Sequence, residues 1–112
     1  MQYLVTVDFV DPGPLLPPQQ FLGMVRTAVL PGHEALNNLR SEGRIVAGGF
    51  PLGERAIAFI IEADSPEELD ALLQSIPFWG ITKTKATPLQ GWEARREQDR
   101  QFAEQLEQSL QQ

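Results

Sequence analysis

Two segments of this chain are apolar on both faces when written as strands, and they limit the folds open to it. In "QYLVTVDFV" (residues 2–10), Tyr3, Val5, Val7 and Phe9 alternate with Leu4, Thr6, Asp8 and Val10. In "AIAFIIEA" (residues 56–63), both faces are again largely apolar. Strands of this kind occupy the interior of a sheet, where both sides are covered. The remaining segments therefore have to supply edge strands and at least one covering layer.

The intervening sequence provides them. "DPGPLLPP" breaks the first strand with four prolines and a glycine. Helical spacing then runs from Gln19 to Glu42, with Phe21, Met24 or Val25, Ala28 and Val29 in its first part and Ala35, Leu36 and Leu39 in its second. "PGH" at residues 31–33 predicts an interruption of that helix, and Gly43 its C-terminal cap. "RIVAGGFPLGERAIAFIIEA" reads as a hairpin, with arms at Arg44–Phe50 and Ala56–Ala63 joined by "PLGE". Gly48 and Gly49 within the first arm imply a bulge or the close approach of another backbone or a ligand.

"DSPEELDALLQSI" carries the strongest local signal. Ser65 is an N-cap, Pro66 takes the first helical position and Glu68 completes a capping box, while Leu69, Leu72, Leu73 and Ile76 form the buried stripe. Pro77 ends the helix. A fourth strand over about Gly80–Pro88 places Ile81, Lys83, Lys85 and Thr87 on one face and Thr82, Thr84 and Ala86 on the other. Its lysines suit an edge. Phe78 and Trp79, at the turn before it, are expected to anchor the helix to the sheet or to a partner. The tail "WEARREQDRQFAEQLEQSLQQ" is charged and rich in helix formers, with a narrow stripe of Phe102, Leu106 and Leu110.

The order is β-α-β-β-α-β followed by a helix. This predicts an α+β, ferredoxin-like fold with a four-stranded antiparallel sheet and both crossover helices on one face. Residues 1–90 form the domain, and residues 91–112 a helical tail that makes oligomer contacts. One face of the sheet is then left bare, and a second copy of the chain is expected to cover it, giving a homodimer or a higher homo-oligomer. The alternative is a tail that folds back over its own sheet.

The composition excludes several functions. A formal net charge of −6 argues against nucleic-acid and anionic-membrane surfaces. With no cysteine and one histidine, neither a metal nor a cofactor is expected, and thiol chemistry is excluded. No stretch meets a nucleotide-binding glycine pattern. "MQYLVTVDFV" has no basic flank or cleavage site, so a cytoplasmic location is expected.

The order of elements resembles the dimeric α/β-barrel superfamily. Within it, "SPEELDALLQSIPFWGITKTKATPL" and the helix end "LRSEGRI" resemble the muconolactone isomerase family, over about residues 1–89. "GHEALNNLRSEGRIVAGGF" with the later "IPF" resembles the YCII-like family, with His33 at that family's histidine. The aspartate of the YCII pattern falls on Ile76, which carries no proton, so the first resemblance is preferred.

That resemblance implies cofactor-independent proton transfer on a small, anionic organic molecule. Such chemistry needs a base, a proton donor and positive charge or N–H groups for the dienolate oxygen. The candidate catalytic residues are His33, Glu34 and Asp8. Packing at the kink is the alternative for His33, a solvated helix-start carboxylate for Glu34, and a structural ion pair for Asp8. Candidate substrate-binding residues are Arg26 and Arg44, as carboxylate clamps, with Phe78 and Trp79. Solvated arginines are the alternative for the first pair. A second reading is a non-catalytic small-ligand-binding or assembly module.

Overall fold

The computed structural model describes residues 1–10 and 16–111, and most of the "DPGPLLPP" break therefore lies outside the described residues. Four strands, β1 (Gln2–Phe9), β2 (Ile45–Gly49), β3 (Ala56–Glu62) and β4 (Thr82–Leu89), form one sheet in the order β2-β3-β1-β4. All neighbours are antiparallel. The two segments that are apolar on both faces are the central strands, and the lysine-bearing strand is an edge.

One face of the sheet is the core. Tyr3, Val5 and Val7 stand opposite Ile61, Phe59 and Ile57, and all six are buried. Leu36 of α2 (Leu30–Ser41), together with Leu69 and Leu73 of α3 (Pro66–Gln74), joins them. The opposite face is more mixed than the strand patterns implied. Its centre is Leu4 opposite Ile60 and Thr87, but Thr6 faces Ala58 and Lys85, and Asp8 faces Lys83. Gln2, Thr6 and Asp8, on the same face as Leu4, narrow the apolar patch to the middle of the sheet.

The first helical run is continuous from α1 (Pro18–Met24) through α2, and its irregularity does not fall at Pro31-Gly32-His33, where it was expected. A π-helical turn occupies Val25–Val29 instead, with the Leu30 N–H donating to the Val25 carbonyl five residues back. Proline acts on the turn before it. Pro31 has no N–H to offer the Thr27 carbonyl, and its ring crowds that group, so the helix widens around Thr27 rather than stopping.

The start of α3 also departs in one detail. The Ser65 hydroxyl accepts a hydrogen bond from the Glu68 N–H at 3.1 Å. The Glu68 side chain pairs with the Arg44 guanidinium instead of returning to the cap. In β2, a register shift lies between Ile45 and Ala47. Gly48 has a φ of +145°, and a Cβ there would sit 2.4 Å from the Ala58 carbonyl oxygen. The close approach that its glycine implied is that of the β3 backbone. Ile81 precedes β4 and ends a 3-10 turn, Trp79–Ile81.

The tail is a helix, α4 (Trp92–Leu110), and every one of its residues is exposed. Phe102, Leu106 and Leu110 are 63%, 50% and 79% exposed. The tail thus does not fold back over its own sheet. On the side away from this stripe, Arg100 pairs with Glu97 and Glu104. No helix among the described residues is long and apolar enough to cross a membrane.

Candidate functional site

A cleft of about 270 Å³ opens where the first helical run crosses one end of the sheet. Three pieces of local structure shape it. The end of α1 contributes Met24, the widened turn Val25 and Val29, the end of β1 Phe9 and Val10, and the hairpin connection Phe50, Glu54 and Arg55. Phe21 and Ile81 also line it. The walls are mainly hydrocarbon, with a few polar groups set into them, the usual make-up of a small-molecule site.

His33 is one of those polar groups. It stands one turn beyond the π segment, and its imidazole stacks on the Phe50 ring with centroids 5.2 Å apart and planes 22° from parallel. The histidine is exposed, and the flat contact fixes its ring at the cleft wall. Arg55 is held in a similar way, with its guanidinium 5.9 Å from the centre of the Phe21 ring.

The other candidate residues lie elsewhere. Glu34 is exposed on α2 and does not line the cleft. Asp8 is on the outer sheet face, opposite Lys83. Arg26 is exposed and outside the cleft lining. Arg44 is committed to Glu68, and its hydrogen bond holds that carboxyl below the usual glutamate range. Phe78 is only 2% exposed and packs edge-on against Phe9, with ring centroids 5.0 Å apart. Trp79 is half-buried against the same core. Phe78 supports the cleft from behind, through Phe9.

Glu54 and Arg55 were not legible as site residues. They follow a turn, "PLG", and in the sequence they read as part of a connection. The available signal was Phe50, a large aromatic at the end of a glycine-containing strand, which marks the hairpin tip as more than a turn. Among the described residues, no three His, Asp or Glu side chains converge as metal ligands would.

The family model for muconolactone delta-isomerase matches residues 1–95. No curated protein sequence matches the chain significantly. Among solved structures, the fold is similar to that of muconolactone isomerase, with a TM-score of 0.64 and 18% identity over 80% of this chain and 88% of that one. It is also similar to a 5-chloro-2-hydroxyhydroquinone dehydrochlorinase from Burkholderia phenoliruptrix, solved with 2,5-dihydroxybenzoquinone. That match has a TM-score of 0.59 and 21% identity over 84% of this chain and 98% of that one.

Proposed function

The chain belongs to the muconolactone delta-isomerase family, and from that premise we propose that it is a cofactor-independent isomerase moving a proton along a small anionic lactone or a related molecule. The observation that carries this reading is the placement of His33, the chain's single histidine, at the wall of an apolar cleft. Imidazole exchanges protons near neutral pH. In the proposed reaction it takes the proton from the γ carbon of the unsaturated lactone, at the far end of the conjugated system from the carbonyl, leaving a dienolate, and returns it to the carbon next to the carbonyl. Glu34 and Asp8 have no part in this step.

The protein is proposed to work as a homo-oligomer. The outer sheet face and the α4 stripe are both left open in one copy, and residues 91–112 serve as the oligomer contact. A second reading, a ligand-binding module without turnover, draws on a specific observation. The neighbour of His33 is an aromatic ring, and no carboxylate among the described residues hydrogen-bonds to it. Incubating the purified protein with muconolactone after chelator treatment separates the two. Turnover that is lost in His33→Gln supports the isomerase, and no turnover above background supports the module.

A further inference from the structure

Building on the reading of the cleft as a small-molecule site, we propose that Arg55 is its anion-binding residue and that the ligand is a flat, conjugated monocarboxylate. The family match does not single out Arg55. That assignment comes from how charge and aromatic rings are distributed around this cleft.

The arginines of the chain are not equivalent. Arg44, Arg95, Arg96 and Arg100 each lie within ion-pair distance of a carboxylate. Arg26, Arg40 and Arg55 have no such partner among the described residues, and of these three Arg55 is the one that lines the cleft. A guanidinium offers five N–H donors in a planar fork that matches a carboxylate. The Phe21 ring beneath it limits its motion without using any of those donors, because the contact is with the face of the ring. The result is a preoriented cation at the edge of a hydrocarbon-lined space.

The remainder of the ligand is defined by the walls. His33 and Phe50 both line the cleft with their rings nearly parallel, and a conjugated ligand gains by offset or edge-on packing against such rings. A volume of about 270 Å³ accommodates a single ring with a short substituent. Glu54 is the carboxylate among the lining residues, adjacent to Arg55 in sequence. It disfavours a second negative group on the ligand, so the site discriminates through repulsion as well as attraction.

The test uses the full chain and two isosteric probes, trans-cinnamate and its neutral amide, cinnamamide, titrated by calorimetry or by NMR. The wild-type protein should bind cinnamate about tenfold more tightly than cinnamamide, the return expected of a hydrogen-bonded charge pair. Arg55→Gln should lose that preference while binding cinnamamide as the wild type does. Arg55→Lys should retain part of it, and Arg26→Gln all of it. Glu54→Gln should admit terephthalate, a dicarboxylate, several-fold better than the wild type. Equal binding of the two probes by the wild type, a preference that survives Arg55→Gln, or no binding of either probe would each overturn the assignment. The outcome is independent of turnover. His33→Gln should keep the preference for cinnamate, so a failure of the proton-transfer reading leaves this one standing.

Discussion

Gly32 and Phe78 are in direct contact, such that a Cβ added to Gly32 would lie 2.3 Å from Cδ2 of the Phe78 ring. This contact explains why a large aromatic stands at position 78, in the turn before the last strand. Phe78 fills the space between α2 and β1, touching Gly32 on one side and Phe9 on the other. It thereby fixes the helix that carries His33 relative to the floor of the cleft.

Gly32→Ala should therefore destabilise the protein although alanine is the better helix former. Overpacking a close contact costs about 1–3 kcal/mol, against a gain of about 1 kcal/mol in helix propensity. Urea denaturation should show a lower midpoint with an unchanged slope. A midpoint at or above that of the wild type would show that the Phe78 ring moves aside freely.

The Arg44–Glu68 pair ties the start of β2 to the first turn of α3. Glu68 titrates below its unfolded value because it accepts a hydrogen bond from Arg44. The unfolded chain thus binds the proton first as the pH falls. The stabilisation is fully present above the unfolded value of about 4.3 and is lost as the pH drops through the folded value. Glu68→Gln should be less stable than the wild type at pH 7, and the gap should narrow at pH 3. A gap that does not change with pH would assign the effect of the substitution to something other than this charge.

The α4 helix is fully exposed and lies almost wholly beyond the part of the chain that matches the family model, residues 1–95. Its stripe of Phe102, Leu106 and Leu110 is available to a second copy. Phe102→Asp should lower the mass of the assembly measured by light scattering after gel filtration. An unchanged mass would remove α4 from the oligomer contact.

The fold was readable because its signals are local and periodic. Tyr3, Val5 and Val7 recur at every second position of β1, and Leu69 and Leu73 lie one helical turn apart behind a serine cap. The site was less readable because it is assembled from ends and irregularities. Pro31 offers the Thr27 carbonyl no N–H, and spacing alone does not reveal that the helix widens there instead of stopping. Glu54 and Arg55 join the cleft because the hairpin connection meets Phe21 and Met24 of α1, a tertiary event. Arg44 looked like a ligand clamp, but its partner was twenty-four residues away, in a glutamate that also fitted a capping box.

The most direct test is proton exchange itself. Muconolactone is incubated with the protein in D₂O, with a chelator present, and followed by NMR. The account predicts that deuterium enters the carbon skeleton at a rate set by the protein concentration, and that His33→Gln abolishes this while leaving the far-UV spectrum intact. Exchange no faster than in buffer, or exchange unaffected by His33→Gln, would contradict it.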